Sequence, residues 1–292
     1  MDTVVQILVS GLTLGSMYAL ATLSLSLVWG SLNMLNMAQG TLLTIGAFAS
    51  YAASANLGLP IYMGLPIAML VGWLMGYLMY FGFVRFLVNS PNFETTVIIA
   101  TIGLAIILES VVLKIWGAYP LRQPFVLPGD FFIGRINILY QNVLIATVSV
   151  AGMFFVAWYV AGTNMGRSIR ATAQNREAAQ LMGVPVRRVF AQVLGLAGFL
   201  AAISGVFLST ITTLSPTMGH DPMVKAFIIC AIAGLGNVTG SLYVAVTLGV
   251  FEASIQYLLG VRFAFPALLL LVIVGLIWRP SGVFGRRTIV KQ

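Results

Sequence analysis

Two acids and one lysine stand inside apolar sequence: Glu109 in IGLAIILESVVL, Lys225 in DPMVKAFIICAIA and Glu252 in LGVFEASIQYLL. An ionisable group in a nonpolar medium either finds a counter-charge or serves an ion or proton pathway. Lys225 and Glu252 fall near the same ends of two successive apolar runs, so a Lys225–Glu252 pair is expected to relieve both buried charges. Glu109 and Lys114 are five apart, a poor helical match, and Glu109 is left without a partner. As ion or proton sites, Glu109 and Glu252 would instead define an ion-coupled secondary transporter.

Amides and glycines mark a second place. Asn33, Asn36 and Gln39 recur at three-residue spacing and share one face of a helix or helix entrance. Such a face serves either interhelical hydrogen bonding or the lining of a path, and Gly40 and Gly46 let a neighbouring backbone come close. The stretch SPTMGHDP (215–222) breaks a helix at its prolines and Gly219. A half-helix starting there could meet a carboxylate with its N-terminus. His220 is the only histidine and has no thiol nearby, so no metal site is expected, and Asp221 reads as a cap of the next helix.

No G-x-S-x-G or H-E-x-x-H occurs, and no catalytic residue is assigned. The three lysines, Lys114, Lys225 and Lys291, lie outside any G-x-x-x-x-G-K-[ST] loop, so this polypeptide carries no ATPase and no cofactor of its own. An intramembrane hydrolase is therefore a weak reading.

A third cluster is charged. Between Gly166 and Val189 stand Arg167, Arg170, Arg176, Glu177, Arg187 and Arg188, in a chain that is 60% hydrophobic and 8% charged. Asn175 caps a short helix of about two turns, with Glu177 in its first turn favourable to the helix dipole. The run REAAQLM favours helix, and Gly183-Val184-Pro185 ends it. Ala178 and Ala179 keep that helix small enough for another surface to approach closely. Physics alone also allows an ordinary interfacial helix anchored by arginines.

These residues must be positioned by membrane helices. Soluble domains are about a quarter Asp, Glu, Lys and Arg; this chain of 292 residues has 15 basic and 7 acidic ones and a mean hydropathy of +1.01. Its surface must face lipid. The net charge of +8 sits in short connections and at the C-terminus rather than on one stripe, which excludes a nucleic-acid surface. Cys230, the only cysteine, lies in an apolar run and forms no internal disulfide. No basic residue precedes the first apolar stretch, which reads as a retained span.

A crossing takes roughly 20 mainly apolar residues. Candidates lie near 4–29, 37–55, 61–86, 95–115, 140–161, 189–213, 223–238, 241–259 and 263–279, the seventh and eighth short and joined by GLGNVTG. The expectation is an all-α integral membrane protein, a polytopic bundle of eight or nine transmembrane helices forming a single domain over 1–292. The runs lack the alternation of a membrane barrel, and strands are not expected. With nine crossings, Arg85, Arg167, Arg170, Arg176, Arg187, Arg188, Arg279, Arg286, Arg287 and Lys291 share one side, and Lys114, Arg122, Arg135, Lys225 and Arg262 the other. The excess places the 162–188 loop and the C-terminus in the cytoplasm and the N-terminus outside. The 116–139 loop then lies outside, and its three prolines and three glycines suggest an ordered irregular cap.

EAAQLMG (177–183) resembles the E-A-A-x-x-x-G signature of ABC-importer permeases, whose short coupling helix docks in a cleft of the ATPase. GLTLGSMYAL (11–20), LNMAQGTLLTIGAF (35–48), MGRSIRATAQNREAAQLMGV (165–184), MVKAFIICAIAGLGNVTGS (223–241) and RPSGVFG (279–285) occur in order. Together they resemble the branched-chain amino-acid permeases of the LivH/BraD type over essentially the whole chain. The family commonly has N-x-A-H-G where this chain has Asn36-Met37-Ala38-Gln39-Gly40, and G-G-x-G where it has Ala233-Gly234-Leu235-Gly236.

The resemblance implies a permease subunit of the bacterial inner membrane that moves branched-chain or similar apolar amino acids. Glu177, Ala178, Ala179, Gly183 and Arg176 would couple it to the motor. Asn33, Asn36, Gln39, Gly40, Gly219, Gly234 and Gly236 are candidates for the path. Two ATPase subunits holding ATP and Mg, a second LivM-like permease and an extracytoplasmic binding protein are the implied partners. Related permeases carry urea, so an amide or another small solute is the alternative cargo.

Overall fold

The computed structural model describes residues 2–279 and 282–284, apart from 89, 91, 125, 126, 128, 134 and 135. Arg135, Arg286, Arg287 and Lys291, counted above for orientation, lie outside the described residues, as does part of the RPSGVFG block.

The helices are α1 (Asp2–Leu32), α2 (Gln39–Tyr51), α3 (Gly64–Met79), α4 (Arg85–Leu87), α5 (Phe93–Trp116), α6 (Tyr140–Gly162), α7 (Asn164–Gln174), α8 (Arg176–Leu181), α9 (Val186–Ile211), α10 (His220–Ala233), α11 (Val238–Leu258) and α12 (Val261–Trp278). A π-turn over Tyr80–Val84 joins α3 and α4 into one rod, Gly64–Leu87, and another over Ala52–Asn56 extends α2. All nine apolar runs are therefore helical, but only seven helices among the described residues are long and apolar enough to cross a membrane. The expected count of eight or nine is not confirmed by that measure: α2 holds 13 residues before its π-turn and α10 holds 14. At 1.5 Å per residue α10 covers about 20 Å and α2 with its π-turn about 27 Å, both short of the roughly 30 Å hydrocarbon core. Hydropathy registers apolar residues; it does not register where the helical ladder stops.

Helix α9 is the hub, with 83% of its apolar window buried against 11% for α12 at the rim. Its close neighbours meet it backbone to backbone. Cβ atoms added at Gly72 and Gly198 would each strike the other's carbonyl oxygen or its surroundings, and one at Gly76 would lie 2.8 Å from the Leu194 carbonyl carbon. Small residues four apart on α3 and α9 build this seam, as in membrane bundles generally. The α1–α11 seam repeats the device at Gly11, Gly15 and Gly249.

Two segments interrupt the helices inside the bundle. After α1, residues 33–38 are irregular, with Asn33 at φ 50° and Met34, Asn36 and Ala38 fully buried. Such backbone must be satisfied by protein. The Met37 N–H donates to Thr101 Oγ1 (3.1 Å) and the Ala38 N–H to Asn36 Oδ1 (3.0 Å). After α9, residues 212–219 turn back before α10 begins.

The 116–139 connection corrects the expectation of no strands. Asp130–Ile133 (β1) and Ile136–Leu139 (β2) pair antiparallel, Asp130 opposite Leu139. Four-residue strands are too short for alternation to stand out in sequence. Leu121 and Leu214 exchange backbone hydrogen bonds of 2.9 and 3.0 Å, tying this cap to the turn after α9.

Candidate functional site

At the end of the bundle away from the hairpin, α6 turns into the arginine-rich loop. The loop holds two helices, not one. The Thr163 hydroxyl caps α7 by accepting the Gly166 N–H, and Asn175 caps α8 by accepting the Ala178 N–H at 2.9 Å. Gly183, at φ 83°, closes α8 as only glycine does cheaply. Glu177 and Ala178 are exposed on α8, whereas Ala179 is buried, so only one of the two small residues can meet another protein. Beyond them Leu181 and Met182 are 89% and 85% exposed, an apolar tip that the sequence reading passed over.

Arg176 fastens this helix to the bundle. Its guanidinium donates to the Val88 carbonyl at 3.0 Å and lies 5.5 Å from the Phe190 ring, bridging α8 to the α3–α4 rod and α9. Arg170 donates to the Val160 carbonyl at the end of α6. An Asn175→Ala variant removes the cap and should cost about 1 kcal/mol locally. Amide exchange over 176–181 is then expected to quicken about fivefold, measured by hydrogen-exchange mass spectrometry.

The amide residues do not form one polar stripe. Asn36 Nδ2 donates to Gln39 Oε1 (3.1 Å), and Gln39 Nε2 donates to Ser24 Oγ (2.8 Å) and the Ala197 carbonyl (3.1 Å). Both side chains are spent on holding the irregular segment between α1 and α9. Asn33 is exposed instead and lines a cavity of about 460 Å³ with Ser31, Glu94, Thr172 and Arg176. Gly40 and Gly219 meet where α2 and α10 begin: a Cβ on Gly40 would fall 2.6 Å from the Gly219 carbonyl oxygen. Gly234 and Gly236 lie elsewhere, at positive φ in the α10–α11 turn, packed against Gly282 and Gly30.

On the hairpin side, a second cavity of about 550 Å³ opens between α1, α9, α10 and α11. Lys225 Nζ stands 2.6 Å from Glu252 Oε1 on its wall and 2.9 Å from the Tyr18 hydroxyl. Gln256 Nε2 also donates to Glu252 Oε1, at 3.1 Å. Glu109, without a partner on its own helix, meets His220 Nε2 at 3.0 Å across the α5–α10 gap. Asp221 sits in the first turn of α10 but makes no capping bond; Gly219 occupies the N-cap.

The two cavities line up along α1. Leu14 and Tyr18 line the hairpin-side cavity, and Ser31, Leu32 and Asn33 line the other. Between them Ala21, Ser24, Gln39, Gly40 and Met223 enclose a gap of about 10 Å³, too small for any solute larger than water. The Gly40–Gly219 contact closes the space at that level.

Comparison with known proteins agrees with this architecture. The chain is 28% identical over 298 residues to the high-affinity branched-chain amino acid transport system permease protein BraD of Pseudomonas aeruginosa, covering 98% of this chain and 97% of that one. It is 27% identical to the corresponding LivH protein of Escherichia coli K12, covering 97% and 96%. Among solved structures, PsaBC from Streptococcus pneumoniae in complex with Fab shares the fold, with a TM-score of 0.52 at 14% identity over 94% of this chain and 91% of that one. Residues 7–278 match the family described as branched-chain amino acid transport system / permease component, and the chain belongs to that family.

Proposed function

We propose that this chain is the membrane-spanning permease subunit of an ABC importer in a bacterial inner membrane. Its cargo is a branched-chain or similarly apolar amino acid. The α8 tip supports this reading most directly. It is a capped, glycine-terminated helix that presents Leu181 and Met182 to solvent and is riveted by Arg176 to the bundle. Exposed apolar side chains on a short helix fit a groove on a partner.

In this reading two ATPase subunits hold ATP and Mg, and their closure pushes α8. Arg176 passes the movement to the α3–α4 rod and α9. The contact at Gly40 and Gly219 then parts, joining the hairpin-side cavity to the one around Asn33. A binding protein delivers the solute to the hairpin side, and a second LivM-like permease completes the membrane unit. The rival reading, an ion-coupled secondary transporter, loses support because Glu109 and Glu252 each face a basic side chain.

The test is crosslinking from Ala178→Cys in a Cys230→Ala background, in membranes containing the whole transport system. Ala179 is unsuitable because it is buried. A crosslink to an ATP-binding subunit whose yield changes with nucleotide is expected. If no such subunit is captured and isoleucine uptake continues without ATP, the coupling assignment falls and the secondary transporter leads.

A further inference from the structure

The Lys225–Glu252 pair is saturated on one side only. Lys225 has three N–H donors and uses one on Tyr18 and one on Glu252 Oε1. Oε1 also takes the Gln256 amide, while Glu252 Oε2 is buried with no hydrogen-bond partner. The carboxylate itself is only 2% exposed. An orphaned carboxylate oxygen at that depth costs stability unless something donates to it. The pair thus offers one spare donor beside one spare acceptor, and both residues line the 550 Å³ hairpin-side cavity.

The rest of the lining has matching chemistry. Among the wall's carboxylate and ammonium groups, Asp221 and Glu252 outnumber Lys225, which favours a ligand ammonium. Leu14, Leu208, Ile211 and Met218 line the same space with apolar surface. The size is in the ordinary range for ligand pockets, about 300–1,000 Å³.

We propose that this cavity is a docking site for the zwitterionic head of an aliphatic amino acid. The ligand's ammonium donates to Glu252 Oε2, its carboxylate accepts from the spare Lys225 N–H, and its side chain rests on Leu14, Leu208, Ile211 and Met218. The assignment rests on the transport reading for its choice of ligand. It gives the pair a role beyond mutual neutralisation: its spare donor and spare acceptor are satisfied when the solute is present.

The test separates this role from a structural one. In the assembled transporter carrying Cys230→Ala, Thr213→Cys places a reporter thiol on the exposed cavity wall, and its labelling by a methanethiosulfonate reagent is timed. Saturating isoleucine should slow labelling about fivefold or more, whereas 3-methylpentanoate, which lacks the ammonium, should not. A single Glu252→Gln change leaves Lys225 buried without its counter-charge and risks misfolding. The double variant Lys225→Met/Glu252→Gln removes both charges and should keep the melting temperature.

Loss of protection in the folded double variant supports the site. Protection that survives in the double variant, equal protection by 3-methylpentanoate, or no protection in the parent overturns it. ATP-driven isoleucine uptake is followed in parallel. Uptake without protection removes the site alone; protection without uptake removes the transport reading and leaves the site standing.

Discussion

Gly205→Ala should remove most of the folded protein from the membrane, while the same change at Gly103 should be silent. Both glycines lie within long helices, so the intrinsic effect of alanine is a small gain at either position. Their surroundings decide. A Cβ on Gly205 would collide with the carbonyl oxygen of Leu43 and lie 2.8 Å from its carbon; one on Gly103 meets nothing within 4 Å. The colliding group is backbone of α2, which is itself pinned to α9 through the Gly46–Ala202 contact and the Gln39 bond to Ala197.

No rotamer change relieves such a clash, so helix α2 must shift bodily. Overpacking of a well-filled core costs about 1–3 kcal/mol where side chains can yield, and more is expected here. Against a total stability of about 5–15 kcal/mol, the loss should appear as a sharp fall in monodisperse protein on fluorescence-detected size exclusion. Equal yields of the two variants would mean that α2 and α9 do not approach as closely as the structure places them.

The contrast between these glycines also marks how far the sequence could be read. Each apolar run became a helix, because continuous apolar sequence without alternation leaves the backbone no cheaper way to satisfy its polar groups. The α8 helix was legible for a local reason: Asn175 and Gly183 act within a few residues of the segment they bound. The Lys225–Glu252 pair was legible because the two charges had few alternatives.

What escaped depends on distant partners. Glu109 and His220 are separated by 111 residues, and nothing local joins them. The three amides at three-residue spacing suggested one helical face, yet the backbone leaves the helix there. Asn36 and Gln39 turn inward to each other while Asn33 faces a cavity. Helix α7 was missed because its buried face is only Gly166, Ile169 and Thr172, amid charges that read as loop.

The largest functional loss is expected at the tip of α8. Leu181 and Met182 contribute almost nothing to the isolated chain, being 89% and 85% exposed, so replacing both with aspartate should leave folding and membrane level unchanged. In the assembled importer the same side chains would be desolvated in a groove of the ATPase. Removing apolar anchors from the centre of an interface costs about 2–4 kcal/mol, and two buried aspartates add a desolvation penalty.

At 1.4 kcal/mol per factor of ten, ATP-driven isoleucine uptake should fall by about thirtyfold to a thousandfold. Hydrolysis by the ATPase, measured on the same vesicles, should lose its stimulation by loaded binding protein while retaining its basal rate. Leu270 and Ile273, exposed at mid-length of the rim helix α12, supply the control: they are 65% and 59% exposed, and aspartate there should lower membrane level instead. A lipid-facing site penalises charge during insertion, whereas a docking site penalises it only when the partner arrives. Undiminished uptake by Leu181→Asp/Met182→Asp would place the motor contact somewhere other than α8, since no groove built for leucine and methionine accepts two carboxylates without loss.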